Sequence, residues 1–188
     1  MSAHTLDYGF LELTSFSEVA KTPPQSGRPK QPEDAPGTGS GDRKHTHAGL
    51  RLNNNEFAAW DDFAHAVDEV VQDPQDLYWI DLSFNNFSTI SAVLCNYRNV
   101  GSINLHANNI SRLAEIDKLA ALQRLKYLTL HGNPVETGAK SKLHYRNYII
   151  TKFPNLRKLD FTPITKQDRD TAKVWAKQRQ AIRQRRRR

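Results

Sequence analysis

Four stretches of the chain share one order of apolar and polar positions. LRLNNNEF (Leu50–Phe57), IDLSFNNF (Ile80–Phe87), INLHANNI (Ile103–Ile110) and LTLHGNPV (Leu128–Val135) each read apolar-x-apolar-x-x-Asn-x-apolar. The second copy is flanked at three-residue spacing by Leu77 and Ile90, and the third by Val100 and Leu113. Alternation of apolar residues over a few positions predicts a short strand with one buried face. The asparagine that follows each strand predicts a sharp turn. Between the first two copies, AAWDDFAHAVDEVVQDPQD (Ala58–Asp76) places Trp60, Phe63, Ala64, Val67, Val70 and Val71 at helical spacing with acids opposite. That spacing predicts an amphipathic helix on the convex side, ended by Pro74.

From Leu50, the copies begin after successive steps of 30, 23 and 25 residues. A period of about 20–29 residues with this order of residues is the leucine-rich repeat pattern, and the longer first step is an insertion. One such coil cannot bury its apolar face alone, whereas a stack can. The inward pairs are Leu50/Leu52, Ile80/Leu82, Ile103/Leu105 and Leu128/Leu130. The turn after each strand leaves backbone groups unpaired inside the stack. Asn55, Asn85, Asn108 and Asn133 can satisfy them with an amide that both donates and accepts, so they read as a structural ladder. An unmet group would cost roughly 1–3 kcal/mol.

The segment YRNYIITKFPNLRKLDF (Tyr145–Phe161) drops the asparagine. Leu156, Leu159 and Phe161 keep a strand pattern, while Tyr145, Tyr148, Ile149 and Phe153 form a helical stripe that Pro154 ends. A terminal coil has to shield the last strand edge. The segment resembles the C-terminal cap of intracellular leucine-rich-repeat proteins that include phosphatase regulators, a spliceosomal A-prime protein and axonemal proteins. With LDYGF (Leu6–Phe10), LYWIDLSFNNFSTI, LHGNPVE and DFTPITKQDRDTAKVW, the chain is similar to the leucine-rich repeat-containing protein 51 family over roughly residues 50–175. It departs from that family in its Pro/Gly segment and its arginine tail. The resemblance implies a small non-enzymatic protein of ciliated organisms, cytoplasmic and located in the ciliary or flagellar axoneme.

The fold expected is therefore α/β: a solenoid of about five coils with a concave parallel sheet over residues 50–164, capped by 145–164. An N-terminal docking segment (1–20), a flexible linker (21–49) and a basic C-terminal helix and tail (165–188) flank it. Residues 21–49 hold five prolines, five glycines and no large apolar side chain, too little to offset ordering entropy. Leu6, Tyr8, Phe10, Leu11, Leu13 and Phe16 ahead of it need an apolar seat, either on their own solenoid or on another protein, if they order at all. Thr165 and Asp168 resemble a capping box that starts a helix running to about Gln184, with Trp175 and Ile182 on one face.

Charge refines this picture. The net charge is +7, yet residues 173–188 carry eight Lys or Arg and no acid, which leaves nineteen basic and twenty acidic residues elsewhere. The body is thus near neutral, and the surplus lies in the tail, where Arg183 and Arg185–Arg188 are candidates to contact an acidic surface such as tubulin. A mean hydropathy of -0.69 fits a chain only partly in a core. No membrane-length apolar run and no signal-peptide pattern is read, and the single Cys95 excludes an internal disulfide framework.

Outward strand positions form the concave sheet, the usual binding surface of a solenoid. The candidate partner-binding residues there are Arg51, Trp79, Asp81, Asn104, His106, Tyr127, Thr129, His131 and Lys158. His106 and His131 occupy equivalent positions on neighbouring strands, so the repeat brings them together without a metal being needed. His45 and His47 are equally weak as ligands, and Gly37, Gly39 and Gly41 follow no strand. No catalytic, cofactor or metal site and no small-molecule substrate is expected. The leading reading is a protein-binding scaffold of the axoneme. An RNA-associated or enzyme-regulatory subunit is the alternative, although the concave strands lack a basic stripe.

Overall fold

In the computed structural model, residues 5–27, 29, 48–138 and 142–185 are described. The fold is a leucine-rich-repeat solenoid. Its spine is a seven-stranded sheet whose spatial order follows chain order: β1 (Thr5–Asp7), β2 (Ala48–Arg51), β3 (Leu77–Asp81), β4 (Ser102–Asn104), β5 (Tyr127–Thr129), β6 (Lys158–Leu159) and β7 (Thr162–Pro163). The first six strands pair in parallel, and β7 folds back antiparallel. The register stacks Leu6, Leu50, Ile80, Ile103, Leu128 and Leu159 in one inward row. All six are buried.

The return path of each coil carries short helical pieces: α1 (Phe16–Val19), α2 (Phe63–Val70), α3 (Leu113–Ile116) and α4 (Pro134–Gly138), with 3-10 turns at Pro74–Asp76, Ala92–Asn96 and Asp117–Leu119. The insertion after the first asparagine coil is α2, and it begins at Phe63 rather than at Trp60. Phe63, Ala66, Val67 and Val70 face the core, so Ala66 takes the inward place expected of Ala64. Trp60 precedes the helix, stacks on Phe87 at 4.4 Å and donates its indole N–H to the carbonyl of Thr89.

The sheet reaches one strand beyond each end of the five expected, and the N-terminal residues explain the first extension. LDYGFLEL (Leu6–Leu13) is a degenerate copy of the repeat, with Leu11 where the asparagine would stand. Leu6 and Tyr8 point inward, and Phe16 stacks on Phe57 at 4.4 Å and meets Phe63 edge-on at 4.9 Å. Burial of each large apolar side chain contributes roughly 1.5–3 kcal/mol. Closing the intervening segment costs little more for each added residue, roughly 0.6 kcal/mol per doubling of its length. Docking on its own solenoid is therefore favoured, and the segment is the first coil. The linker is shorter than its composition suggests. The amide of Asp7 donates to the carbonyl of Ser26, and the amide of Gln25 to the carbonyl of Asp7, so residues 25–26 cover the outer edge of β1. Residues 28 and 30–47, including His45, His47 and the three glycines, lie outside the described residues.

The turn after each strand uses the same backbone device. The residue before the ladder position adopts the left-handed region in every coil: Phe10 (φ 58°), Asn54 (53°), Phe84 (54°), Ala107 (50°) and Gly132 (77°). Only Gly132 is free of the Cβ penalty that this conformation carries.

At the C-terminus, α5 (Lys142–Lys152) packs Tyr145, Ile149 and Ile150 inward. α6 (Lys166–Arg185) lies against it. Its capping box is reciprocal: the amide of Thr165 donates to Asp168 Oδ2 at 2.8 Å, and the amide of Asp168 donates to Thr165 Oγ1 at 3.1 Å. Asp168 also accepts from Arg146 at 3.0 Å, which with the cap hydrogen bonds holds its carboxyl well below the usual range. Asp160 turns away from the sheet face. Its carboxylate accepts the Leu130 amide at 2.8 Å and the Tyr145 hydroxyl, standing in for the carbonyl that a further parallel strand would offer. Burial raises the pKa of Asp160.

Candidate functional site

The asparagine ladder knits the coils rather than closing each one separately. Asn85 donates to the carbonyls of Leu52 and Leu82 and accepts the Phe57 amide. Asn108 donates to Leu82 and Leu105 and accepts the Phe87 amide, and Asn133 repeats this with Leu105, Leu130 and Ile110. Asn55 does more. It makes the same bonds, accepting the Leu13 amide and donating to the carbonyls of Tyr8 and Leu52, and in addition accepts the backbone amide of Leu11. All four side chains are buried.

The sheet face carries three outward rows. In the first, the register aligns Gly49, Trp79, Ser102, Tyr127 and Lys158, so small and large side chains alternate. Trp79 and Tyr127 stand two strands apart, about 10 Å at the usual strand spacing. They flank a notch floored by Ser102. Trp79 leans over Gly49, where a Cβ would come within 2.8 Å of its ring. The guanidinium of Arg51 lies 5.6 Å from the centre of the same ring. Tyr127 is 39% exposed and Lys158 is exposed.

The second row is Asp7, Arg51, Asp81, Asn104 and Thr129. Arg51 pairs with Asp7 at 2.9 Å across the strands. Asp81 accepts the amide and hydroxyl of Ser83, and Asn104 accepts the His106 amide. Two of the candidate residues therefore spend one oxygen each on their own turns, which leaves the row less open to a partner than its exposure suggests.

The third row holds His106 and His131, stacked at 5.4 Å between centres. His131 Nδ1 is 2.9 Å from Glu136 Oε2. His106 Nδ1 is buried without a hydrogen-bond partner. Phe84 meets His106 edge-on at 4.9 Å, and Phe161 meets both imidazoles, so four rings form one patch. Phe84 is 50% exposed and Phe161 is 63% exposed. Sequence reasoning missed Phe84 because it occupies an unspecified position of the repeat, and it set Phe161 in the strand pattern with Leu159, whereas the cap turns that ring out onto the sheet face beside the histidines. Among the described residues, no three His, Cys, Asp or Glu side chains gather as a metal site, and no helix is long and apolar enough to cross a membrane.

Behind the sheet, Glu115 is buried while charged. It accepts the Ile90 amide and pairs with Arg112 at 2.7 Å and Lys118 at 2.6 Å. Cys95 is half-buried, as a small apolar residue would be, and its thiol donates to the carbonyl of Lys118. Of the tail candidates, Arg183 lies within α6 and Arg185 is exposed at its end, whereas Arg186, Arg187 and Arg188 lie outside the described residues.

Comparison with known proteins agrees with this architecture. A family model described as leucine-rich repeat matches residues 80–187. Leucine-rich repeat-containing protein 51 of Bos taurus is 40% identical over 171 residues, covering 90% of this chain and 83% of that protein. Its counterpart in Homo sapiens is 37% identical over 170 residues, with the same shares covered. The probable U2 small nuclear ribonucleoprotein A' of Drosophila melanogaster is 39% identical over 82 residues, 44% of this chain and 29% of that protein. Among solved structures, a chain of the Drosophila melanogaster SNF/U2A' complex superposes with a TM-score of 0.54 at 29% identity, covering 67% of this chain and 66% of that one.

Proposed function

The chain belongs to the leucine-rich repeat-containing protein 51 family, and from that premise we propose that it is a non-catalytic adaptor which seats a protein partner on its sheet face within the ciliary or flagellar axoneme. Leucine-rich-repeat proteins generally serve as interaction modules. The observation that carries the reading is the notch over Ser102, walled by Trp79 and Tyr127. Two amphipathic rings around a small floor offer large contact area at low entropic cost, the composition of an interface anchor. The axonemal setting rests on the family resemblance and on a basic C-terminal helix suited to an acidic tubulin surface.

A second reading, an RNA-associated subunit, draws on the likeness to the U2 small nuclear ribonucleoprotein A'. Against it, Lys158 and Arg51 are the sheet-face cations among the candidates, and Arg51 is neutralised by Asp7.

The test is capture from ciliary extract with the full chain and with a Trp79→Ala/Tyr127→Ala variant, alongside a thermal melt and imaging of the tagged protein in ciliated cells. The expected result is an axonemal signal, an unchanged melt and loss of capture in the variant. Undiminished capture would sink the notch as the anchor, and a nuclear signal would favour the RNA reading.

A further inference from the structure

α6 runs antiparallel to α5: Arg146 meets Asp168 near the start of α6, and His144 meets the ring of Trp175 two turns on, at 5.1 Å. The two helices leave an open trough of about 440 Å³ between them, lined by Leu143, Asn147, Val174, Trp175 and Gln178, with Asp170 at one end. Its walls are apolar and uncovered among the described residues: Leu143 is 59% exposed and Val174 56%. Ile182, 52% exposed, continues the stripe at the helical spacing of Trp175 and Gln178. α5 begins at Lys142, so α6 beyond Gln178 projects past it by about 10 Å. A polar group is also left wanting. Asn147 is 2% exposed, and its Nδ2 has no hydrogen-bond partner.

We propose that this trough is a second docking site, separate from the sheet face, which takes the apolar face of an acidic amphipathic helix from another protein. An apolar groove between helices, with anchors at three- and four-residue spacing, suits a helical ligand. Its charge selects the sign of the partner. Arg179 lies over Trp175, Lys177 stands one position before the lining residue Gln178, and α6 carries no acid after Asp170. Asp170 is itself 3.8 Å from Lys173. A second copy of this chain would bring the same cations face to face and is the wrong occupant. Nucleic acid would meet the cations but leave Leu143, Val174 and Ile182 uncovered. A Glu-flanked helix satisfies both.

The probe is a blocked peptide of about 20 residues with Leu at i, i+3, i+4 and i+7, Glu at the positions that flank this stripe and Ala elsewhere, long enough to hold a helix. It is titrated into the full ¹⁵N-labelled chain and followed by the backbone amides of α5 and α6 and the side-chain amide of Asn147. Those signals should move saturably, and the affinity should fall as salt rises. Leu143→Glu and Val174→Glu should each weaken binding about tenfold or more. Both positions are more than half exposed, so their melts should match the parent; Val174→Ser serves as a milder variant if either melt falls. A matching peptide with Lys in place of Glu should bind at least about tenfold more weakly. No saturable shift, equal binding of the two peptides, shifts confined to the sheet face, or displacement by a single-stranded RNA would each overturn the proposal. The Trp79→Ala/Tyr127→Ala variant should bind the acidic peptide as the parent does, which separates failure here from failure of the sheet-face reading.

Discussion

Replacing the ladder asparagines by alanine should cost unequal amounts, in an order that the hydrogen bonds set. In Asn108→Ala, the carbonyl of Leu82 keeps the amide of Asn85, and that of Leu105 keeps Asn133. Only the Phe87 amide loses its sole partner. One buried N–H left unmet costs roughly 1–3 kcal/mol. Asn55→Ala strands more. The amides of Leu11 and Leu13 and the carbonyl of Tyr8 all rely on this side chain. Leu11 is partly exposed, so water recovers some of the loss, and the expected cost is roughly 2–5 kcal/mol. The damage should also be local. With Asn55 gone, the first coil keeps its strand pairing and aromatic contacts but loses the buried turn hydrogen bonds to the second coil, so amides in residues 5–27 should exchange faster while those of β4 and β5 stay protected. Urea unfolding of the two variants, with hydrogen exchange, measures both effects. Equal destabilisation by the two substitutions, or exchange that rises evenly along the chain, would refute the inter-coil role of the amides.

Glu115→Gln keeps an acceptor for the Ile90 amide but loses the pairing with Lys118 and Arg112, at a cost of roughly 1–2 kcal/mol at pH 7. Its hydrogen bond from Lys118, foremost, holds the folded carboxyl below the ordinary value of 4.5, so this stabilisation is whole above that value and drains away as the pH falls below it. Unfolding curves of parent and variant should converge in acid, and a gap that persists below the folded pKa would contradict the assignment. Deleting residues 183–188 should leave the thermal midpoint unchanged but flatten the salt dependence of co-sedimentation with microtubules, since the field of the tail reaches only about 8 Å at physiological salt. Identical curves for the two forms would make the tail a solubilising end.

Legibility in the sequence followed the chemistry of each position. The four asparagine coils were readable because each buried turn needs an amide, and the cap because Tyr145, Pro154 and Asp160 stand at fixed offsets. The first coil was not read as a coil because Leu11 replaces the ladder residue, and the additional hydrogen bond that Asn55 of the next coil accepts from the Leu11 amide has no local signature. Leu6 and Tyr8 did carry the strand pattern. Glu115 was passed over because an acid on a short helix reads as solvated; only its spacing of three from Arg112 and from Lys118 hinted otherwise. Of the sheet-face candidates, Trp79, Tyr127 and His131 lie on the outward face, while Asp81 and Asn104 are partly occupied by their own turns.

The left-handed residue in the turn after each of the first five strands sets two demands against each other. Its backbone prefers glycine, by about 1–2 kcal/mol over a side chain bearing Cβ. Yet it is also the position that lifts a side chain clear of the sheet, and Phe10 and Phe84 stand there 67% and 50% exposed. Relaxing such a turn and keeping its ring are mutually exclusive. The coil that carries glycine there, at Gly132, holds the stack together more cheaply, while those that carry phenylalanine give up stability for grip. Of the five turns, two thus carry an exposed ring at the cost of strain, and one, at Gly132, is relaxed. Substitutions chosen only to raise the melting temperature would gather at Phe10 and Phe84, where they would also strip the surface of its aromatic contacts.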